Sequence, residues 1–271
     1  MADHRRIAGA ALDYLDPVRV MVKAGVIPDP WQEKFLRSRS TRRLLLCGRQ
    51  VGKSEVVGAY ASFRARYRAP SLVAVSADSQ DHARNLFKRI KLYVKPLCVD
   101  GVSIVSESTE KIRLSNGSEI IALPGSAKSV RSFSADCAIV DEAAFTSDSL
   151  FNSFFPTLAA TGGEWISMSS AGYPVGWFWS LFTKGGEVDE MDAPTAIGDA
   201  WERTVVKSAD CPRIDPQFLA DELDQKGQTE FDREYGCRFL RPEEINLANQ
   251  PITADLLDKV GRVDGVPLFG E

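Results

Sequence analysis

The sequence of 271 residues lacks the features that mark several classes of protein. No apolar run approaches the roughly 20 residues that a membrane-spanning helix needs, so no membrane segment is predicted. The N-terminus, beginning Met1-Ala2-Asp3, has no apolar core of a secretory signal peptide. Five scattered cysteines without a C-x-x-C pair argue against a disulfide framework or a zinc site and indicate reduced thiols in a cytosolic protein. Two histidines are too few for a histidine-rich metal centre.

Charge is present in ordinary amount but is unevenly distributed. The hydrophobic content of 44% and charged content of 26% are typical of a soluble globular protein, and the length suits one large α/β domain with at most a small satellite. Residues 1–100 contain 19 Lys and Arg against 9 Asp and Glu, whereas residues 101–271 contain 14 against 28. A basic first third is compatible with a face that handles nucleic acid, although phosphate sites also recruit Arg and Lys.

The most informative segment is an apolar run, Leu44–Leu46, that leads into a loop ending in Gly-Lys-Ser. This layout is typical of a phosphate-binding loop, or Walker A motif, in which backbone N–H groups at a helix start cradle the phosphates of ATP. Lys53 would reach phosphate oxygens and the Ser54 hydroxyl would ligate Mg²⁺. The first glycine of the common pattern is replaced by Cys47, and Gly-Lys-Ser alone also suits a chance loop. The predicted ATP-binding residues of the loop are Gly48, Arg49, Gln50, Val51, Gly52, Lys53 and Ser54.

A second motif lies about 90 residues further on, where the apolar run Cys137–Val140 ends in Asp141 and Glu142. Such a run predicts a buried strand of a parallel sheet, and ligands bind at the carboxyl ends of such strands. In this Walker B pattern, Asp141 would hold Mg²⁺ and Glu142 would polarise the attacking water. An ordinary strand ending in a polar turn explains either motif alone but poorly explains both together. A Glu directly after the Asp indicates the P-loop ATPases that carry their own catalytic carboxylate.

A helix is predicted to begin at Asp29-Pro30-Trp31-Gln32, upstream of the loop. Asp29 suits the N-cap, Pro30 the first helical position, and Gln32 the position from which an amide completes a capping box. Two roles remain open for Gln32. It either serves this helix start alone or recognises adenine, whose edge both donates and accepts hydrogen bonds.

The remaining pattern alternates between strands and helices, which predicts a mostly parallel sheet wrapped by helices. Strands are predicted at 72–76, at 165–172 and, as a hairpin with an Asn-Gly turn, over 112–123. Helices are predicted at 5–24, 53–66 and 81–95. We therefore expect an α/β P-loop NTPase fold of the RecA/ASCE-like kind. Its core would occupy residues 1–200 with a helical extension over 1–28. Residues 201–271, with acidic helices near 215–225 and 230–233 and a short strand at 235–239, would form a lid and a linker.

Basic residues at helical spacing form a candidate DNA-binding face on the helix 81–95. They are Arg84, Lys88, Arg89 and Lys91, with Lys95 one turn further. A solvated helix face explains the same spacing, and from spacing alone it is the favoured interpretation.

Taken together, five short segments of the sequence resemble parts of the N-terminal ATPase domain of the large terminase subunit, the DNA-packaging motor of tailed bacteriophages. The resemblance covers roughly residues 28–240. The five segments are Pro30-Trp31-Gln32, Gly48-Arg49-Gln50-Val51-Gly52-Lys53-Ser54, Val140-Asp141-Glu142-Ala143, Ser167-Met168-Ser169-Ser170-Ala171 and Glu234-Tyr235-Gly236-Cys237-Arg238-Phe239. Arg-Gln before Gly-Lys is similar to the family's deviant Walker A, which accounts for the missing first glycine.

The resemblance implies an Mg²⁺-dependent ATPase that drives double-stranded DNA into a viral capsid. It implies a ring, a pentamer on the capsid, with the portal protein and the small terminase subunit as partners, in the host cell cytoplasm and without a membrane. Arg131 is the candidate arginine finger acting on a neighbouring subunit, although a surface-loop arginine is the alternative. Arg49 would act in cis, and Ser169 and Ser170 would couple hydrolysis to movement.

Large terminases continue into a nuclease domain, and this chain stops at Glu271, about where that domain should begin. Asp255, Asp258 and Asp264 are not at predicted strand ends, so no metal is assigned to them and no nuclease activity is expected. Two alternatives remain. One is a related helicase or translocase, which would need a second RecA-like domain. The other is a nucleotide-dependent DNA-binding scaffold with little turnover, which the presence of Glu142 disfavours.

Overall fold

The computed structural model describes residues 2–125, 130, 133–183, 200–240 and 244. The strands are β1 (Arg42–Cys47), β2 (Leu72–Ala77), β3 (Ile104–Glu107), β4 (Lys111–Leu114), β5 (Glu119–Ala122), β6 (Cys137–Asp141), β7 (Glu164–Ser169) and β8 (Glu202–Val206). The helices are α1 (Ala2–Leu15), α2 (Val18–Lys23), α3 (Pro30–Arg37), α4 (Lys53–Tyr67), α5 (Gln80–Val94), α6 (Asp148–Phe154), α7 (Gly176–Thr183), α8 (Pro216–Lys226) and α9 (Gln228–Glu234). None of these helices combines the length and apolarity needed to cross a membrane.

The strands form one sheet in the order β3-β4-β5-β2-β6-β7-β1-β8. All neighbours from β5 to β8 in this order are parallel, whereas the β3-β4 and β4-β5 pairs are antiparallel. The predicted α/β class with a mostly parallel sheet is therefore confirmed. Strand β7 lies between β1, which precedes the phosphate-binding loop, and β6, which ends in the two carboxylates. Both motifs consequently open onto the same carboxyl edge of the sheet.

The sheet separates two apolar cores because side chains alternate along each strand. On β1, Leu45 and Cys47 face one core, while Leu44 and Leu46 face the other. The first core is covered mainly by α4 and α5, and the second by α6 and α7. Helix α4 is buried along most of its length, since its small residues let it approach both the sheet and α5.

Most predicted elements occur where the sequence placed them, including α4, α5 and the β4-β5 hairpin. The helical stretch 5–24 is divided into α1 and α2 at Asp16-Pro17. The sheet extends past the predicted boundary at residue 200, because β8 pairs with β1 along its whole length. Strand β8 was not predicted, because its mixture of charged, polar and apolar residues does not form the apolar run expected of a buried strand. The acidic helices are α8 and α9, and residues 245–271 lie outside the described part of the chain.

The strand predicted at 235–239 is wrong. Cys237 adopts a positive φ of 61°, which is incompatible with an extended strand. The segment instead turns its backbone toward other loops, since the Ser208 N–H donates to the Tyr235 carbonyl at 2.9 Å. The aromatic and β-favouring residues that suggested a strand serve a packed turn.

The opposite, amino end of the sheet contains a buried arginine. Arg43 is 1% exposed, and its guanidinium bonds Glu164 Oε2 at 2.9 Å. It also stacks over the Tyr60 ring at 4.0 Å and the Phe35 ring at 4.8 Å. The charge is therefore tolerated in the core because a carboxylate and two aromatic faces replace its hydration.

We expect Arg43→Ala to lower the free energy of unfolding by about 3 kcal/mol, because it leaves Glu164 partly uncompensated and opens a cavity between two rings. Urea denaturation followed by circular dichroism measures this change. Arg113→Ala, which removes an exposed ion pair with Glu119, is the control and should cost less than about 1 kcal/mol. Equal losses in the two variants would contradict the burial argument.

Candidate phosphate-binding site

The loop between β1 and α4 has the backbone that a phosphate cradle requires. Gln50 and Gly52 have positive φ values of 62° and 90°. Left-handed residues within a turn are a feature of the backbone concavities that bind anions. Gly48 is required for a different reason. A Cβ there would lie 2.6 Å from the Tyr235 carbonyl oxygen and would collide with Ser208. Close packing against Tyr235 and Ser208 therefore leaves room only for glycine at position 48.

Two carboxylates face this loop from the end of β6. Lys53 Nζ lies 2.6 Å from Glu142 Oε1 and 4.0 Å from Asp141 Oδ1. Burial, the largest influence, raises the pKa of Asp141 to about 6, against the opposing charge of Lys53. The pKa of Lys53 is raised, because the two carboxylates outweigh the effect of burial, which by itself lowers it. The structure therefore brings Lys53 of the first motif together with Asp141 and Glu142 of the second.

Glu142 is held in an unusual position. Its backbone is left-handed, with φ of 48°, a conformation that costs a non-glycine residue of order 1 kcal/mol or more. Its N–H donates to Asp141 Oδ1 at 2.9 Å, and its Oε2 is buried without a hydrogen-bond partner in the described structure. Backbone strain combined with an unpaired carboxylate oxygen is typical of a functional site.

The residues present fit a hard cation such as Mg²⁺. Ser54, in the first turn of α4, and Asp141, at the end of β6, supply a hydroxyl and a carboxylate, the oxygen donors that Mg²⁺ prefers. The described residues include no group of three or more His, Cys, Asp or Glu that would form an all-protein metal site. A Mg²⁺ site of the usual kind takes one or two protein ligands and fills the rest with phosphate and water.

Gln32 uses both ends of its amide within the protein. Its Oε1 accepts from the Asp29 N–H at 2.9 Å, completing the capping box of α3, and its Nε2 donates to the Gly52 carbonyl at 3.2 Å. The side chain is 2% exposed. These contacts favour the structural role of Gln32 and add a function that the sequence did not suggest, namely support of the phosphate-binding loop.

Arg213 was not identified from the sequence, yet it touches the loop directly. Its guanidinium bonds Asp29 Oδ2 at 2.7 Å and the Val51 carbonyl at 3.0 Å. Hydrogen bonding from Arg213 lowers the pKa of Asp29 below its usual value. An isolated arginine in a loop carries no motif, and only the folded chain brings residues 29, 51 and 213 together.

Arg49 is anchored to α9 and to the residues that follow β8. Its guanidinium lies 2.8 Å from Glu234 Oε1, its N–H donates to the Glu234 carbonyl at 2.9 Å, and its carbonyl accepts from Ser208 Oγ at 2.8 Å. The side chain is nevertheless 58% exposed. The backbone of Arg49 is thus fixed, while its ion-paired guanidinium remains accessible to solvent.

Ser169 and Ser170 stand at the carboxyl end of β7, between the two motif strands. Ser169 is buried, and its Oγ accepts from the Ala144 N–H at 3.2 Å, which connects β7 to the turn after Glu142. Ser170 is half-buried. Ser167, which had no assigned role, is fully buried with an unpaired hydroxyl in the described structure. Arg131 lies outside the described residues.

The candidate DNA-binding face on α5 is largely paired with carboxylates. Arg84 lies 2.8 Å from Glu110, Arg89 lies 3.0 Å from Glu55, and Lys91 lies 2.9 Å from Glu107. Lys88 is exposed. Because three of its four cations are locally neutralised, this face offers a weaker phosphate-binding field than the sequence suggested.

Comparison with known proteins identifies large terminase subunits as relatives. The family described as "Terminase large subunit, T4likevirus-type, N-terminal" matches residues 44–249. The large terminase ATPase domain of Thermus phage P74-26 is similar in structure, with a TM-score of 0.71 and 22% identity over 81% of this chain and 97% of that domain. No curated protein matches the chain.

Two longer terminases share the fold. A large terminase from a thermophilic bacteriophage, in complex with ADP, has a TM-score of 0.58 and 11% identity over 84% of this chain and 53% of that one. The HK97 bacteriophage large terminase has a TM-score of 0.61 and 17% identity over 78% of this chain and 50% of that one. The chain therefore spans about half the length of these two proteins. At such identities the structural likeness shows the P-loop fold alone.

We expect Arg213→Ala to loosen the phosphate-binding loop, because it removes charge-assisted hydrogen bonds each worth about 1.5–3 kcal/mol. Amide hydrogen exchange should accelerate in residues 48–52, and the Kd for a fluorescent ATP analogue should rise roughly tenfold. Lys34→Ala, which removes an exposed cation from α3, is the matched control. Unchanged exchange in the Arg213 variant would show that the loop keeps its shape without this contact.

Proposed function

The chain belongs to the terminase large-subunit family of the T4-like-virus type, within its N-terminal region, and we propose that it is the ATP-hydrolysing motor domain of a DNA-packaging machine. The observation that supports hydrolysis most directly is the placement of Lys53, Asp141 and Glu142 around one loop. The family supports the packaging role. The longer terminase solved with ADP has also been solved with ATP-gamma-S; both are ligands of that protein and support nucleotide binding here.

In the proposed reaction, N–H groups of residues 48–52 and Lys53 bind the phosphates of ATP. Lys53 then exchanges its contact with Glu142 for the phosphate oxygens, which frees Glu142 to orient and deprotonate the attacking water. Ser54 and Asp141 would hold Mg²⁺, which neutralises charge on the phosphates when bound. Arg49 in cis, and Arg131 from a neighbouring subunit, would stabilise charge in the transition state.

Coupling to movement is proposed to run through two contacts of the site. Ser169 holds the turn after Glu142, so a change at the carboxylates reaches β7. Arg49 holds Glu234, so a change at the phosphates reaches α9 and the predicted lid. The proposed partners are double-stranded DNA, further copies of the chain in a ring, the portal protein and the small terminase subunit, in the host cell cytoplasm. A helicase and a scaffold with little turnover remain the alternatives. The rate of ATP hydrolysis by the wild-type protein distinguishes the scaffold from an ATPase.

Glu142→Gln should lower kcat for ATP by about 10²–10⁴, the usual loss on removing a general base, while the Kd for ATP changes little. The amide keeps a hydrogen-bonding oxygen opposite Lys53, so the site should remain intact. Steady-state hydrolysis and equilibrium nucleotide binding measure the two quantities separately. Lys53→Ala is the control that should lose binding. Loss of ATP binding in Glu142→Gln would instead show that Glu142 holds the site together, and a negligible wild-type rate would favour the scaffold.

The trans role of Arg131 predicts that hydrolysis per subunit rises with protein concentration, because a neighbour completes each site. Arg131→Ala and Lys53→Ala should each be inactive alone, since one lacks the finger and the other lacks the phosphate contact. Mixing them should restore activity, because Arg131 of the Lys53 variant can serve the intact Lys53 site of the other. A flat concentration profile together with no recovery on mixing would remove Arg131 from this role.

A further inference from the structure

The amino edge of the sheet contains a cavity of about 620 Å³ on the side opposite the phosphate-binding loop. It lies between the α1–α2 connection, the residues that lead into β1, and the C-terminal end of α4. About eight residues separate Ser40 at the cavity from Gly48 in the loop, which corresponds to roughly 25 Å of extended strand. The cavity is therefore distinct from the proposed ATP site, and its volume is in the range of ligand-binding pockets.

The charged lining is dominated by arginine. Arg37, Arg39, Arg64 and Arg68 line the cavity, whereas Asp16 and Glu164 are the acidic residues among its lining. Four guanidinium groups against two carboxylates leave two positive charges in excess. A recessed surface of one sign concentrates its field and attracts anions.

The pairing of these arginines shows which of them are available. Arg37 lies 2.9 Å from Asp16, and Arg64 lies 3.5 Å from Glu164, so these two offset the acids. Arg39 is exposed, and within the described residues neither Arg39 nor Arg68 has a carboxylate partner. Arg68 instead donates to the Tyr14 hydroxyl at 2.8 Å and stacks over the Tyr14 ring at 4.8 Å.

Favourable interaction with the dipole of α4 explains the positions of some of the cavity arginines but not of all four. Arg64 lies in the last turn of α4 and Arg68 is its C-cap, where cations stabilise a helix. Arg39 belongs to the connection before β1 and gains nothing from that dipole. In addition, Arg64 Nε is buried with no hydrogen-bond acceptor in the described structure. The protein therefore leaves part of this guanidinium unsatisfied, and a nearby anion would stabilise its positive charge.

We propose that this cavity is a second phosphate-binding site, in which Arg39 and Arg68 contact the phosphate groups of a ligand. Guanidinium forks match phosphate oxygens in geometry as well as charge. The assignment of the phosphates to a DNA backbone rests on the proposed function, whereas binding of free phosphate does not.

The cavity is joined to the ATP site by the two elements that flank the phosphate-binding loop. Strand β1 begins beside Arg39 and ends at the loop, and helix α4 begins with Lys53 and ends beside Arg68. Both elements are buried along most of their length. A displacement of the loop on nucleotide binding would therefore be carried to both proposed phosphate contacts.

The test measures binding of a short end-labelled DNA duplex by fluorescence anisotropy over a series of salt concentrations. Each phosphate contact contributes about 0.9 to the slope of log affinity against log salt. Arg39→Gln with Arg68→Gln should reduce that slope by about 2, and Arg39→Gln alone by about 1. If loss of the Arg68–Tyr14 contact impairs folding of the double variant, the Arg39→Gln variant, which keeps that contact, still tests the proposal.

The matched control is Lys111→Gln with Arg113→Gln, which removes two exposed cations of β4, outside the cavity lining, at the same cost in net charge. Its slope should change by much less than that of the cavity variant. An equal fall in both double variants would show that only net charge matters and would overturn the site. An unchanged slope in the cavity variants, with the wild type bound to DNA, would overturn DNA binding at the cavity while leaving the proposed motor function intact.

A second arm uses inorganic pyrophosphate, titrated calorimetrically into protein whose ATP site is saturated with ADP. Pyrophosphate binding that the Arg39 and Arg68 changes abolish, in a protein that binds no duplex, would assign the cavity to free phosphate and would count against the DNA-packaging function. Absence of cavity-dependent binding in both arms overturns the proposal.

Discussion

The ammonium group of Lys53, placed between the carboxylates of Asp141 and Glu142, is the interaction on which the rest of this site depends. Three charges sit in a largely buried space, and each would be costly there without the others. The sheet topology makes the meeting possible, because β1 and β6 end at the same edge with only β7 between them. The unpaired oxygen of Glu142 and its left-handed backbone show that the described protein groups satisfy this arrangement only in part.

The loop that carries Lys53 is supported from outside the two motifs. Gln32 and Arg213 bind the carbonyls of Gly52 and Val51, while Glu234 and Ser208 bind the backbone groups of Arg49. These contacts come from residues far apart in the chain. The geometry of the loop and the position of residues 208–234 are therefore linked, and the coupling that we propose rests on this link.

The excess of basic residues in the first hundred positions turns out to have several separate uses. Arg43 is buried as a structural charge, and Arg84, Arg89 and Lys91 are neutralised along α5. The cations without a carboxylate partner within the described residues include Arg39 and Arg68, at the amino edge of the sheet. A surface field depends on which charges remain unpaired after folding, and charge totals along the chain do not report it.

The sequence by itself determined the fold class and identified the charged residues that meet at the central site, because both depend on local patterns. Apolar runs ending in Gly-Lys-Ser and Asp-Glu specify strands whose ends present those groups, and the order of strands and helices specifies a parallel sheet. Tertiary structure decided the rest. The edge strand β8, the turn at Cys237, the support from Arg213 and the pairing of the α5 cations each arise from contacts between distant residues. A local pattern shows what a segment can do, whereas the neighbour that folding supplies decides whether a charge is satisfied, a strand is paired or a loop is held.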